Sequence, residues 1–339
     1  MRKVLFMALS ALVLMGCGTG NERLLTSATG SIYECLVVCD NGIKDEVSET
    51  MGADMYGLPQ MEAVFTVSHV TPGQFDDLVK GSRNILLVDL NDHKYTQVQA
   101  KKRRDVWSTP QAMVRIQAPD TEAFTAYWRE NGAAIREWFV QEEIARQIRF
   151  YRANTNKDAR AILNKQGYDI LIPEDFVLVK HSVVSIQPSD SVDVVWCCNN
   201  KGPMRKDIVV YSYPYTSQDQ FSNESLIAMR NAVLGQLVTA QLEGSHMSTE
   251  MKHFPPVSRS VQAPRDTIGG FYGIETRGLW KIVDGEAMGG PYVSLTRLDQ
   301  VNGRVVTAEA FLYAAGQKKR NAMRQSEAIL YTLKMPNER

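Results

Sequence analysis

Between Asp120 and Tyr151 the chain repeats apolar residues at helical spacing for longer than most globular helices run. Phe124, Tyr127, Trp128, Ile135, Trp138 and Phe139 mark the stripe, and Ile144, Ile148 and Tyr151 extend it. Asp120 is placed to cap the start, with Thr121 and Glu122 behind it. Gly132 marks an expected kink. An aromatic stripe of this kind suits either a ligand face or a core; burial of one helix side makes core the ordinary reading. Asn154-Thr155-Asn156 breaks the pattern, and a short helix through Ile162 and Leu163 ends near Gly167.

The rhythm of the chain differs on the two sides of this helix. Before it, apolar runs at Ile32–Cys39, Ala63–Ser68, Asn84–Leu90 and Met113–Gln117 read as strands. Helices are expected over Lys44–Tyr56 and from Thr71-Pro72 through Phe75, Leu78 and Val79. Such a βαβαβ order implies parallel strands with right-handed crossovers. After it come short strands at Phe176–Val184, Val192–Cys198 and Ile208–Tyr213, and a helix from Glu224 to Val238 with Leu226, Met229, Val233 and Leu237 inward. A loop is expected from Leu242 to Asp266. The order then recurs, with strands at Gly270–Thr276, Tyr292–Leu298 and Val305–Tyr313 and a helix at Lys318–Leu333. Three strands and a helix, twice, suggest a duplicated βββα unit. The expected fold is therefore α/β plus α+β: a parallel βαβ-type sheet, a helical connection and an antiparallel sheet with helices.

The first residues set the address. Arg2 and Lys3 precede an apolar run from Val4 to Met15, too short for a membrane span of ~20 residues but right for a secretory leader. Leu14-Met15-Gly16-Cys17 looks like a bacterial lipobox, in which the cysteine is cleaved free and acylated with chains such as palmitate. Each buried CH₂ contributes ~0.8 kcal/mol, so several chains anchor firmly. The expected divisions are a signal peptide at 1–16, a polar tether at 17–30, an α/β domain at 31–119, the helical connection at 120–167 and an α+β domain at 168–335. No dense acidic run follows Cys17, which favours a body facing the periplasm rather than the cell surface.

Charge is balanced over the 339 residues, at 38 basic and 38 acidic. Nucleic-acid binding needs a basic face, and none is evident. Lys101-Lys102-Arg103-Arg104 is the densest basic run and reads as a solvated loop. Cys35, Cys39, Cys197 and Cys198 have no metal-binding spacing; they read as buried thiols, with a cross-pair or a thiol-redox role as alternatives.

Three places carry candidate chemistry. Asp40, His69 and Asp89 fall at the carboxyl ends of expected parallel strands, with Asp92 and His93 just beyond. Ligands of open α/β sheets bind there, so these residues are candidates for an acid–base pair or a divalent cation. Turn-forming Asp at strand ends is the bland alternative. No Gly-rich phosphate loop follows the first strand, so no nucleotide cofactor is expected. The stretch from Leu242 to Asp266 carries Ser245, His246 and Glu250, a candidate hydrolytic set or partner-binding loop. Lastly, the glycines of Met288-Gly289-Gly290-Pro291 read as hairpin turns and bulges, with a shallow groove beside Trp280 as the alternative. Tyr211, Tyr213 and Tyr215 form an alternating ladder, exposed for stacking or buried as core.

Several phrases resemble those of a bacterial lipoprotein family known as domain of unknown function 4837. They include Tyr33-Glu34-Cys35-Leu36-Val37-Val38, Asp105-Val106-Trp107, Tyr211-Ser212-Tyr213-Pro214-Tyr215 and Glu243-Gly244-Ser245-His246-Met247-Ser248-Thr249-Glu250. Arg277-Gly278-Leu279-Trp280, Met288-Gly289-Gly290-Pro291-Tyr292-Val293-Ser294 and Ala328-Ile329-Leu330-Tyr331-Thr332-Leu333 complete the set. The resemblance spans nearly the whole mature chain. It implies an outer-membrane lipoprotein of the Bacteroidota envelope and brings no catalytic residues. Where the family usually has Tyr this chain has His246, which argues against catalysis there. The expected function is a non-catalytic module binding an envelope protein or glycan, tethered to the membrane by its lipid. The alternative is a hydrolytic or metal-dependent enzyme acting on envelope material through the strand-end crevice.

Overall fold

The computed structural model describes residues 25–187, 190–263 and 271–338. Cys17, Gly269 and Gly270 lie outside them. The elements of the first part are β1 (Thr26–Ser27), β2 (Glu34–Val38), α1 (Lys44–Met51), β3 (Thr66–Val70), β4 (Asn84–Leu90), β5 (Gln99–Arg104), β6 (Ser108–Thr109) and β7 (Ala112–Ala118). Five strands form one sheet in the order β3-β2-β4-β7-β5. The first four are mutually parallel, as the alternation of strand and helix implies. β5 runs antiparallel to β7 at the edge. Short β1 and β6 pair separately.

Two local expectations fail here. The stretch from Thr71 forms two 3-10 turns, Pro72–Gln74 and Val79–Gly81, instead of a helix. The Asp76 carboxylate accepts the N–H groups of Leu78 and Val79, offering the backbone an alternative to helical bonding. Leu78 is 84% exposed, so no apolar face holds a helix down. The basic run Lys101–Arg104 is strand, not loop. It is exposed along its length, and charge on an edge strand deters pairing with another chain.

α2 (Thr121–Ala153) is the long helix, spanning about 50 Å at ~1.5 Å per residue. Asp120 caps it, accepting from the N–H of Ala123 at 2.8 Å. Helix runs unbroken through Gly132, the position marked for a kink. Glycine is needed because a Cβ would stand 2.8 Å from Cε2 of Trp128, whose indole N–H donates to Thr50 on α1. The aromatic stripe is core. Phe124, Trp128, Ile135 and Phe139 pack towards the first sheet, while the Tyr151 hydroxyl reaches the Gln325 carbonyl oxygen.

α3 (Lys157–Lys165) follows, capped by Asn156. Then come β8 (Val177–Gln187), β9 (Asp190–Asn199), β10 (Arg205–Pro214), α4 (Asn223–Leu237), β11 (His246–Thr249), β12 (Val257–Ala263), β13 (Phe271–Val283), β14 (Gly289–Asp299), β15 (Arg304–Tyr313) and α5 (Arg320–Leu330). The second sheet is antiparallel throughout, in the order β11-β13-β14-β15-β10-β9-β8, with β12 also on β13. β11 and β12 both fall in the stretch expected to be a loop. Both pair only with β13 at the edge of the sheet, and β12 is largely exposed, including Val257, so no buried face marks it in the sequence beside Pro255-Pro256.

The βββα order does recur, and β10 and β15 pair at the centre of the sheet. The helices, however, lie on opposite faces. α4 buries Val233, Leu234 and Leu237 against Val209, Tyr211 and Phe311. α5 buries Met323, Ile329 and Leu330 against Val210, Ala308 and Ala310. Alternate residues of one strand thus serve two cores. The core under α5 is continuous with that of the first sheet, and α2 lines both.

Candidate functional site

Paired residues of neighbouring strands share a face, so register decides whether the strand-end residues meet. His69 pairs with Val37 and shares its face, under α1 and α2. Asp89 follows Leu87 by two and faces the other side. His69 Nε2 lies 2.9 Å from the Cys39 carbonyl oxygen. Asp89 accepts from Arg115 at 2.6 Å and from the Tyr95 hydroxyl at 2.7 Å. Burial opposes its ionisation, but these two partners outweigh it and hold the carboxyl below its ordinary value. Asp40 is exposed and caps nothing with its side chain. The three are not brought together. Among the described residues, no three His, Cys, Asp or Glu side chains cluster as a metal group.

Ser245, His246 and Glu250 do not assemble into a triad either. The Ser245 hydroxyl is buried, donates to the Leu242 carbonyl and accepts from the Ala240 N–H. His246 Nδ1 sits 2.9 Å from the Gly244 carbonyl oxygen. Glu250 accepts the N–H groups of His253 and Lys252 and pairs with Lys281 at 2.9 Å. Chiefly through the His253 N–H, its carboxyl is held down at about 2. All three build the turn into and out of β11.

The four described cysteines are free and buried. Burial pushes the Cys197 thiol up to about 12 and raises Cys198 as well. A thiol-redox role needs the opposite shift.

Trp280 does line a groove, and Met288 lines it too. The depression, about 330 Å³, lies between the C-terminal end of α4 and the second sheet, with Trp196, Met247, Ile282 and Phe311 among its walls. Trp280 is 4% exposed; its ring meets Phe311 edge-on at 5.9 Å, and its N–H donates to the Leu312 carbonyl oxygen at 3.0 Å. Gly290 permits this approach, since a Cβ there would overlap that oxygen and press on the indole nitrogen. At the mouth, Arg205 lies over Trp196 at 5.8 Å and forks onto Asp207, which also accepts the Trp196 N–H. Tyr313, 37% exposed, stands beside Trp280. The tyrosine ladder is largely core: Tyr211 and Tyr213 are buried and stacked, and Tyr215 packs on Phe221.

The same face of the sheet contains a closed ion pair that sequence reading missed. Arg230 of α4 bonds Glu309 of β15 at 2.8 to 3.0 Å, gives another N–H to Thr249, and stacks on Tyr292 with its guanidinium 3.9 Å from the ring centre. A signal was present. Glu309 interrupts an apolar strand from Val305 to Leu312, and Arg230 stands among Leu226, Ile227 and Val233. Buried charge of this kind needs a partner.

Family comparison divides the chain at the end of α2. A domain of unknown function (DUF8532) matches residues 28–152, and a domain of unknown function (DUF4837) matches residues 154–332. The second match is therefore narrower than the near-complete resemblance read from the sequence: Tyr33–Val38 and Asp105–Trp107 fall under the first. No curated protein matches the chain. The DUF4837 match covers more than half of the sequence, and the chain belongs to that family.

Proposed function

We propose that the protein is a lipid-anchored envelope module, held by Cys17 at the periplasmic face of the outer membrane, that binds a protein partner through the Trp280 groove. The groove is the observation that carries this reading. Its walls are aromatic, methionine and aliphatic side chains, the composition of a pocket that receives an apolar anchor. A protein partner is favoured over a glycan because the one carboxylate in the groove, Asp207, is consumed by Arg205 and Trp196. Sugar hydroxyls would find few groups to bond. No described helix is long and apolar enough to cross a membrane, and the proposed attachment is the acylated Cys17.

Two measurements test the reading. A photo-crosslinking residue at Tyr313 in the living envelope should give a discrete protein adduct, and one at Tyr272, exposed on β13, should not. Equal labelling at both positions, or none at Tyr313, would sink the groove. Cys17→Ala should release the protein from the membrane fraction and remove the mass of the acyl chains; an unchanged mass would refute the anchor.

A further inference from the structure

A second cavity, about 320 Å³, opens where the segment after α1, α2, β12, β13 and α5 meet. Four guanidinium groups line it, those of Arg136, Arg259, Arg277 and Arg324, against the carboxylates of Asp54, Glu137 and Glu275. Its deep wall is built. Arg277 donates to Glu275 at 2.8 and 3.2 Å and pairs with Glu327 at 2.8 Å. Tyr331 and Arg259 also donate to Glu275, at 2.6 and 2.9 Å, so that carboxylate is fully engaged.

Arg324 is the exception. Its side chain is 9% exposed, and one terminal nitrogen donates to Glu327 at 2.9 Å. Its Nε is buried with no acceptor. A buried N–H of a charged group left unbonded is costly and invites an acceptor. Nearby Arg136 spends one nitrogen on the Thr50 carbonyl oxygen, and Arg259 stands half-exposed at the mouth. Guanidiniums thus outnumber carboxylates on the wall, around a space the size of a small solute. Their planar forks match the oxygens of carboxylate and phosphate groups. The carboxylates on the same wall disfavour a polyanion.

We propose that this cavity binds a small solute through one oxyanion, a carboxylate or a phosphate, held by Arg324, Arg259 and Arg136. The site is separate from the Trp280 groove.

The test is calorimetric titration of the full chain, purified in detergent, with inorganic phosphate and with acetate at constant ionic strength, chloride serving as reference. At least one anion should bind once per chain and raise the melting temperature. Binding to phosphate alone or acetate alone supports the site and identifies the group it takes. Arg324→Met should abolish binding. Because that variant removes a buried partner of Glu327, Arg259→Gln at the mouth is the second arm, expected to weaken binding about tenfold, the loss of one charge-assisted contact. Tyr313→Ala should leave it unchanged. Neither anion binding better than chloride, or binding undiminished in Arg259→Gln, would overturn the proposal.

Discussion

The second sheet buries arginine in two places and treats it differently. Under α4, Arg230 is saturated: both oxygens of Glu309, the Thr249 hydroxyl, the Met247 sulfur and the Tyr292 ring take up its fork. Beside α5, Arg277 and Arg324 share Glu275 and Glu327, yet a donor is left over and a cavity opens next to it. The first arrangement locks a helix onto a strand. The second has capacity to spare. Residue types are the same in both; what separates structure from binding is whether the donors are used up.

The largest expected effect falls on the closed pair. Glu309→Gln should cost about 3–5 kcal/mol in denaturant unfolding, because it strands a buried guanidinium, and Arg230→Met with Glu309→Leu should recover most of that loss. A loss under 1 kcal/mol would mean that the pair is not closed. Next comes pH dependence at the open cluster. Burial alone would raise the Glu275 carboxyl, but Arg277 and Arg259 outweigh it and hold it at about 2. A carboxyl depressed on folding contributes stability above its ordinary value, near 4.5, and loses it as pH falls towards 2. The stability gap between wild type and Glu275→Gln should therefore narrow across this window; a gap constant from pH 5 to 2 would contradict the assignment.

Glu327→Gln should cost less than Glu309→Gln, about 1–3 kcal/mol, since the cavity lets water or solute take over the freed donors. Equal costs would erase the distinction between the clusters. The smallest effect belongs to the rim of the aromatic groove. Tyr313→Ala should change stability by about 0.5 kcal/mol or less while abolishing the adduct formed by a photo-crosslinking residue at Met288 in the same groove. Loss of both together would make Tyr313 a structural residue.

Much of the fold was legible because local signals and burial agree. Asn84–Leu90 and Met113–Gln117 are rich in Ile, Leu, Val and Met and became interior strands; Asp120 capped α2 as its position implied. The groove beside Trp280 stood in the sequence only as the lesser alternative to a hairpin turn; in the structure Gly289, Gly290 and Pro291 are strand, paired with Lys281, Trp280 and Leu279. What failed depended on weak or distant partners. Thr71–Val79 was lost to the Asp76 side chain, and β11 and β12 gain their pairing only from β13. The charged clusters were illegible for a plainer reason. Arg230 meets Glu309 across 79 positions, and Arg277 meets Glu327 between a strand and a helix. Only Glu275, two positions from Arg277, lay within reach in sequence; Glu309 and Glu327 did not. His69 and Asp89 show the converse: strand ends locate residues along a sheet, but only register reveals which face they serve.

α2 lines the cores of both sheets, and at its far end the two family matches abut. A shared spine of this kind couples the fates of the halves. Cutting the chain near Asn154 would strip the second sheet of part of its cover and leave the first with an apolar helix face exposed. The chain should accordingly melt in one transition, and a protease should find no intact half to release. Inheritance in two pieces is compatible with unfolding in one.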